Sequence, residues 1–506
     1  MKFLTIIVSF ILCLCSPYAK AQNSMIPKDR IWYVTDFGAK GDGKTINTLS
    51  IQNAIDVCHQ VGGGTVKITQ GTYISGTLFL KDGVQLYLDV NAKIGGSENQ
   101  RDYQTIKGLN AKKEFMFGKN GTFLIYAENA KHISIQGNGE INGNGDKFWQ
   151  EEMLSAYVRK PKEWRPNGLI CFVNCQFINI GDIFLVNSPC YTLWTLGCDD
   201  VKMNGITIRN AVDGPNTDGI DVDCCLRVSI TNCNIEGGDD AIAIKSDGGR
   251  LGEDRPCENV VVSNCILSAP PACAVRVGYE GDSPIKNCTF SNLAISKSHH
   301  GIDVVSVLAK RDPPFQMLKG TRIVGIQFND IIMDDVIQPI YLWMGNEQKD
   351  MESSVSMKNI RISNLTATNS GDSFIGSSFE KNIENINLSN IHVESIKSFS
   401  ENTKFYNNVW GSENPYTFYF QNISGLHINE LCVDFSDSVE YWKHAVYFEK
   451  SKDVFLSNFS VKGHEKIKLI SQIGVSNSSI QIHGFIKEGS PKFIFADENS
   501  QIIIKN

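Results

Sequence analysis

The 506-residue chain carries a formal net charge of −7, and 42% of its residues are hydrophobic. This acidic balance argues against a nucleic-acid-binding protein, and no nucleic-acid partner is expected. The length exceeds that of a usual single domain, a limit that elongated repeat folds escape.

The first 21 residues have the pattern of an export signal. Lys2 supplies the positive start, Phe3 to Cys15 is almost wholly apolar, and Ala19-Lys20-Ala21 has the small-x-small form of a cleavage site. The apolar run is shorter than the ~20 residues that span a bilayer as a helix. We therefore predict cleavage after Ala21, a secreted or periplasmic mature protein and no membrane insertion.

The next predicted element is a helix. Ile51, Ala54, Ile55 and Cys58 recur at the spacing of one helix face, and Gly62-Gly63-Gly64 ends the pattern. We expect this helix to cap the first coil of a repeat. The segment 147–167 is polar, aromatic and unrepetitive, so we predict a long loop that walls a binding cleft.

From residue 130 onward, a unit of two short β-branched runs around a turn residue recurs. The turn residue is Asn204, Asn232, Asn264, Asn292, Asn329, Asn364, Asn390, Asn429 and Asn458. Short runs with period-two alternation favour a parallel β-helix over helical repeats, and Asn-Gly hairpin signals are too sparse for an antiparallel sandwich. We predict an all-β, right-handed single-stranded parallel β-helix that forms one domain over residues 22–506.

Thirteen cysteines follow the signal segment, an odd number spread over a long chain. Several follow the turn Asn, as Cys233, Cys265 and Cys288 do, which predicts buried free thiols rather than a disulfide framework. Cys224-Cys225 lacks the spaced second pair of a structural zinc site, and we expect no metal and no cofactor.

Two groups of motifs carry a family resemblance. The first group resembles the opening of the pectin-lyase-like superfamily. It consists of Asp36-Phe-Gly-Ala-Lys-Gly-Asp-Gly-Lys-Thr, Gly62-Gly-Gly-Thr-Val and Gly71-Thr-Tyr. Asn187-Ser-Pro189, Asn216-Thr-Asp218-Gly219 and Gly238-Asp239-Asp240 resemble the signatures of glycoside hydrolase family 28, the polygalacturonase family. The resemblance covers residues 31–345. It implies a parallel β-helix that hydrolyses a pectin-like or related acidic polysaccharide.

The chain departs from that family at two motifs. Where the family has Gly-His-Gly, the aligned segment has Cys273, and where it has Arg-x-Lys, the chain has Asp303-Val-Val. His299 or His300 is a candidate to replace the missing His, whereas Cys273 is expected to pack rather than to act as a nucleophile. The resemblance to the family therefore extends to the catalytic aspartates but does not identify the substrate.

Hydrolysis of a glycosidic bond needs one protonated carboxyl group and one ionised carboxylate. Asp218 and Asp240 are 22 residues apart, about one short coil, so stacking places them and Asp239 together. Like charges that close raise one pKa, which keeps one group protonated. By resemblance, Asp239 is the general acid, while Asp218 and Asp240 hold the attacking water and the anomeric centre is inverted. The competing interpretation is that these aspartates only terminate strands at solvated turns.

Three further residues are predicted to bind substrate. Lys245 shares the outward parity of Ala241 and Ala243, Arg276 alternates with valines one coil later, and Asn216 begins the first aspartate motif. The fork of Arg276 would bind a uronate carboxylate in a bidentate way. With a neutral substrate, we expect Arg276 to pair instead with Asp303 or another acid of the cleft and to matter mainly for structure.

Two other functions stay open on the sequence alone. A polysaccharide lyase on the same fold would need a basic side chain and often calcium, which the aspartate cluster does not favour. A non-catalytic carbohydrate-binding β-helix would have kept the scaffold and lost turnover. In each case the partner is a polysaccharide or oligosaccharide, and the oligomeric state is open.

Overall fold

The computed structural model describes residues 27–107, 120–311, 316–348, 351–378, 381, 383–396, 414–438, 442–464, 467–484 and 493–505. The predicted export signal lies outside the described residues. Strands make one 35-stranded sheet, and every pairing within it is parallel to the strand one coil before or after. The predicted parallel β-helix is therefore confirmed.

Each coil passes over three faces in turn. Face 2 and face 3 meet at a tight corner, and seven strands bend around that corner without a break: Cys257–Ser268, Pro284–Leu308, Arg322–Asn346, Ser356–Ser370, Ile383–Ser395, Ile423–Asp434 and Lys452–Lys462. Face 2 also contains Ile31–Tyr33, Gly64–Ile68, Val84–Leu88, Ser134–Gln136, Gln176–Gly181, Asp199–Asn204, Leu226–Thr231, Ser479–His483 and Gln501–Lys505. Face 3 also contains Asp42–Ile46, Gly71–Ser75, Ala92–Gly96, Glu140–Asn142, Phe184–Val186, Thr207–Arg209 and Asn234–Glu236.

Face 1 completes each coil. The predicted aspartates lie in the turns just before its strands. Its strands are Leu78–Phe79, Phe123–Glu128, Gly168–Val173, Tyr191–Leu196, Ile220–Asp223, Ile242–Ser246, Cys273–Gly281, Ser373–Ser377, Tyr416–Gln421, His444–Glu449, Ser471–Ser476 and Ile494–Ala496. The ends of two long strands, residues 300–308 and 338–346, complete it. Neighbouring strands of face 1 lie about 4.8 Å apart, so residues in register form columns along the solenoid.

The predicted capping helix is present as Thr48–Gln60, and Ile51, Ala54, Ile55 and Cys58 are its buried residues. It ends as expected at the glycines. Gly63 has a φ of +95°, and a Cβ there would lie 2.4 Å from the carbonyl oxygen of Gly83. Only glycine fits this close approach. The other helical elements in the described ranges are Gly248–Leu251 and the 3₁₀ turns Val34–Phe37, Gln100–Asp102 and Gly145–Phe148.

The core is a set of inward-facing aliphatic columns. Ile220, Ile242, Val275, Ile302 and Ile340 stand in register on five successive coils and are fully buried. Burial of each such side chain contributes roughly 1.5–3 kcal/mol. Among the described residues, no helix is long and apolar enough to cross a membrane.

Cysteines take the same inward role. All thirteen of the described cysteines are free, and every one except Cys432 is buried. The Cys175 N–H donates to Cys198 Sγ at 3.4 Å, and the Cys198 N–H donates to Cys225 Sγ at 3.3 Å. Each of these hydrogen bonds joins two neighbouring coils. The prediction of buried free thiols is confirmed, since the thiols act as small packing groups.

The turn asparagines form the predicted ladder, with one correction. Asn232, Asn264 and Asn292 adopt positive φ, and the amide of each donates to an asparagine one coil earlier. Asn204, however, pairs in register with Thr231, and Gly205 takes the left-handed conformation in that coil. The same one-residue shift occurs at Asn329 and Asn429, where Asp330 and Glu430 have positive φ. The corner requires a left-handed residue, and Asn is only its commonest occupant.

The predicted loop at residues 147–167 leaves the solenoid and contains a small hairpin. Trp149–Met153 pairs antiparallel with Arg159–Pro161. A second two-stranded pair, Ile106–Lys107 with Asn120–Gly121, lies outside the main sheet. Residues of the 147–167 loop line a cleft of about 1320 Å³, as predicted for a loop that walls a cleft.

Candidate active site

Asp218, Asp239 and Asp240 come together in the turns that precede the strands of face 1. Asp218 and Asp240 occupy the turns just before two paired strands, and the Gly219 N–H donates to the Asp240 carbonyl at 2.9 Å. Each of the three carboxyl groups places an oxygen within 4.8 Å of the others. The stacking inferred from the coil length therefore brings all three predicted residues into one cluster.

The backbone fixes two of these side chains. Asp240 Oδ1 accepts a hydrogen bond from the Cys273 N–H at 3.1 Å, and Asp239 Oδ1 accepts one from the Asp240 N–H at 3.0 Å. Asp218 and Asp240 are 3% and 5% exposed, whereas Asp239 is partly open to the cleft. Asp239 is thus the member of the cluster that a bound sugar reaches most directly.

Burial and mutual repulsion hold protons in the cluster. Desolvation raises the pKa of Asp239 well above its usual value, and the charges of Asp218 and Asp240 raise it further. The pKa of Asp218 is raised in the same direction by burial and by Asp221. A carboxyl group with a raised pKa keeps its proton to higher pH than a free aspartate does, which is what a general acid requires.

Lys245 is a buried cation among carboxylates. Its Nζ lies 2.8 Å from Asp221, 3.3 Å from Glu280 and 3.4 Å from Asp218. Burial lowers the pKa of Lys245, but the carboxylates outweigh it and raise the pKa well above the usual value. Lys245 therefore stays charged, and it ties Asp218 to the floor of the site.

Arg276 joins the aspartate cluster to the next coil. Its Nε lies 2.6 Å from Asp240 Oδ2, its Nη1 lies 3.5 Å from Asp303 Oδ1, and its Nη2 donates to Cys273 Sγ at 2.8 Å. Desolvation would lower the pKa of Arg276, but Asp240 and Asp303 raise it well above the usual range. Both partners match the pairing expected for a neutral substrate, which was with Asp303 or another acid of the cleft.

His300 supports this arrangement from the following coil. It stands in register with Cys273, its Nδ1 contacts Asp303 Oδ2, and its Nε2 lies 2.7 Å from Gln338 Oε1. Arg276 and His300 together lower the pKa of Asp303 despite its burial. Burial and the neighbouring His300 lower the pKa of His299 to about 2. Both histidines line the large cleft, so their candidacy to replace the missing histidine stays a prediction.

The carboxylates lie between two cavities. The larger has a volume of about 1320 Å³, with Asp239, Arg276, His299 and His300 among its lining residues. The smaller, of about 300 Å³, borders Asp218, Asp239, Asp240, Lys245 and Arg276. Asn216 lines both, and its Oδ1 accepts a hydrogen bond from Arg165 at 3.0 Å. The structure thus gathers the six predicted site residues around one floor.

Within the part of the chain that the structure describes, two sets of donor atoms lie close enough to hold a metal ion, Asp218–Asp239–Asp240 and Cys273–His300–Asp303. Arg276 lies between the two sets and contacts Asp240, Cys273 and Asp303. A guanidinium there supplies the positive charge that these carboxylates need, so we assign no metal to either set.

Comparison with protein families gives the class of this site. The family model of "Glycosyl hydrolases family 28" matches residues 58–410, which include every predicted site residue. The chain belongs to this family. It is therefore a glycoside hydrolase, and neither a lyase nor a binding module fits that membership as well.

Curated relatives of this family 28 enzyme include a probable polygalacturonase of Vitis vinifera. The two are 29% identical over 279 residues, which cover 54% of this chain and 56% of that protein. An endo-polygalacturonase of Pectobacterium carotovorum subsp. carotovorum is 24% identical over 381 residues, which cover 73% of this chain and 88% of that protein.

Solved structures show the same fold. An exopolygalacturonase from Thermotoga maritima superposes with a TM-score of 0.63 at 18% identity, over 82% of this chain and 96% of that one. The family 28 exopolygalacturonase of Yersinia enterocolitica gives a TM-score of 0.60 at 18% identity, over 94% and 79% of the two chains.

Several residues of this family 28 site were not predicted from the sequence. Asp221 follows Asp218 with the outward parity that was used for Lys245, so the same rule would have found it. Arg165 lies in the loop predicted to wall the cleft, and a basic residue there was a usable signal. Glu280 and Arg311 carry no motif, and only their place in the small cavity identifies them.

Proposed function

We propose that this protein is a secreted hydrolase that cleaves glycosidic bonds in a polygalacturonate-like acidic polysaccharide with inversion at the anomeric centre. The observation that carries the proposal is the cluster of Asp218, Asp239 and Asp240 between two cavities, with a raised pKa at its most exposed member. The relatives named polygalacturonase support the acidic substrate.

In this proposal Asp239 protonates the leaving oxygen, and Asp218 and Asp240 hold the attacking water. The oxygens of the three groups lie within 4.8 Å, which is shorter than the ~6.5–9.5 Å typical of inverting pairs. The proposal of inversion therefore rests on the different roles of the three carboxyl groups and not on the distance between them. The Asp218–Asp240 pair accepts from water, while Asp239 faces the larger cleft as the proton donor.

The size of the larger cavity supports a polymer as substrate. A cleft of about 1320 Å³ exceeds the range of ~300–1,000 Å³ usual for small-molecule sites. Asn216, Lys245 and Arg276 line the floor beneath it or beside it. We propose that all three contact the sugars next to the cleaved bond. The main role of Lys245 and Arg276 is to hold in place the carboxylates that act on that bond.

The test is a product analysis on polygalacturonic acid. We expect new reducing ends without the ultraviolet absorbance of an unsaturated product, and proton NMR of the first turnover should show the inverted anomer. Absorbance from an unsaturated uronate would mean that the enzyme is a lyase. A product with retained configuration would contradict the roles given to Asp218 and Asp240.

Secretion has a separate test. Expression of the full chain in a bacterial host should give an exported mature form whose first residue is Gln22, which N-terminal sequencing identifies. An uncleaved protein that stays in the cytoplasm would contradict this part of the proposal and leave the hydrolase assignment unaffected.

A further inference from the structure

The small cavity of about 300 Å³ beside the catalytic carboxylates is lined by three cations, Lys245, Arg276 and Arg311. It also borders Asp218, Asp239, Asp240 and Glu280. Because the chain has Asp303 and Val305 where the Arg-x-Lys motif is expected, a uronate substrate must be recognised by some other cation. The three cations of this cavity are the candidates, and they differ in how their donors are used.

Two of the cations are occupied by the protein itself. Lys245 has three N–H donors and lies within 3.4 Å of three carboxylates, those of Asp218, Asp221 and Glu280. Each nitrogen of the Arg276 guanidinium has a protein neighbour as well, namely Asp240, Asp303 or Cys273. Binding a substrate carboxylate at either cation would compete with buried ion pairs, which are costly to break.

Arg311 is held differently. It follows the strand Pro284–Leu308, and its guanidinium carbon lies 4.3 Å from the centroid of the Tyr279 ring. Its single ion pair in the described structure joins Nη1 to Glu280 Oε1 at 3.6 Å, and 24% of the side chain is exposed. Tyr279 orients the guanidinium by stacking and by a side-chain hydrogen bond, and in the described structure the contacts with Tyr279 and Glu280 engage only part of the five N–H donors.

The charge of the cavity also suits an anion. Burial raises the pKa of both Asp218 and Asp239, so two of its four carboxyl groups hold protons more strongly than usual. Burial would raise the pKa of Glu280 too, but Lys245 and Arg311 lower it to about 2. Glu280 is therefore ionised and serves to anchor both cations.

We propose that Arg311 binds the carboxylate of a uronate residue adjacent to the cleaved bond and thereby replaces the missing basic motif as the determinant of substrate charge. This inference rests on the proposed function. The planar fork of arginine matches a carboxylate with two parallel hydrogen bonds, and a pre-stacked guanidinium loses little freedom when it binds.

The kinetic test compares Arg311→Ala and Arg311→Lys on a galacturonate oligosaccharide and on its carboxyl-reduced analogue. We expect Arg311→Ala to lower kcat/KM roughly 100-fold on the uronate and by less than about threefold on the reduced sugar. Arg311→Lys should recover part of the loss. The matched control is Arg227→Ala, which removes a surface arginine paired with Asp200 on face 2. Thermal unfolding of each variant checks that the fold is intact.

Equal losses on both substrates, or no loss on the uronate, would overturn the role of Arg311. A binding measurement separates this result from failure of the proposed function. Calorimetry with trigalacturonate is carried out on Asp239→Asn and on Asp239→Asn/Arg311→Ala. If the wild type fails to cleave uronates but only the first variant binds the ligand, the proposed hydrolysis is wrong and Arg311 still binds uronate. If neither variant binds, or both bind equally, the inference about Arg311 is wrong.

Discussion

One outward column of face 1 runs through two regions of different chemistry. Its register is continuous over eight coils: Asp221, Ala243, Arg276, Asp303, Tyr341, Phe374, Tyr419 and Tyr447. The first four, which are three charged residues and Ala243, form the charged segment, and the last four form the aromatic segment. The backbone geometry is the same in both, so only the side chains distinguish them.

The two segments solve the same packing problem in opposite ways. In the charged segment, Arg276 needs Asp240 and Asp303, and Asp221 needs Lys245, because an unpaired buried charge is costly. In the aromatic segment, the rings of Tyr341 and Phe374 lie 5.8 Å apart and need no charged partner to be stable. The comparison indicates that the same backbone column accommodates paired charges in one segment and aromatic rings in the other, and the charged segment is the one that contacts the aspartate cluster.

The largest expected effect is at the aspartate cluster. Asp239→Asn removes the proton donor, and we expect kcat on polygalacturonate to fall by several powers of ten, since general acid catalysis by itself contributes on the order of 10²–10⁴. Asp200→Asn, at a surface ion pair with Arg227, is the control and should keep full activity. Turnover by Asp239→Asn within tenfold of the wild type would remove Asp239 from the mechanism.

Arg276→Ala should come next, and it should affect both activity and stability. The change leaves Asp240 and Asp303 without their cation, which costs about 3–5 kcal/mol of unfolding free energy for a buried pair. We expect kcat/KM to fall by about 2–4 kcal/mol in activation free energy on uronate and carboxyl-reduced substrates alike. Denaturant unfolding and steady-state kinetics measure the two effects. A loss confined to the uronate would mean that Arg276 itself reads the carboxylate.

The pH dependence of stability tests the charge crowding. The raised pKa of Asp239 means that the folded protein binds this proton more tightly than the unfolded chain does. Its contribution to stability is therefore greatest in acid, and it declines as the pH rises from about 4 through the folded pKa. Asp239→Asn cannot titrate, so its unfolding free energy should fall less between pH 4 and pH 8. Parallel curves for the two proteins would contradict the assignment.

The smallest effect is expected in the aromatic segment. Tyr447 stacks on Tyr416 with ring centroids 4.3 Å apart, so Tyr447→Ala should cost about 1–2 kcal/mol of stability and leave kcat/KM unchanged. Phe495, which is 46% exposed near the end of the same face, is the comparison, and Phe495→Ala should cost less. Reduced activity in a fully folded Tyr447→Ala protein would mean that the substrate site extends into the aromatic segment.

The sequence was sufficient for the features that repeat locally. Short alternating runs with a left-handed corner predicted the β-helix, and the helix pattern from Ile51 to Cys58 predicted its cap. The motifs around Asp218, Asp239 and Asp240 predicted their clustering, because two turns one short coil apart must stack in a parallel solenoid. The asparagine series did not give the register in every coil, since it slips by one residue at Asn204, Asn329 and Asn429.

The tertiary structure alone decided the partners of each charge. Coils differ in length, so the residue one coil away cannot be found by counting. The sequence pattern places Arg276 toward the substrate, whereas in the structure it contacts Asp240 and Asp303 at once. Arg311 follows a strand and carries no motif, and its position over Tyr279 is a property of three-dimensional packing. Periodicity fixes which face a side chain occupies, whereas ion pairs depend on distances of a few ångströms between coils, which the order of residues does not contain.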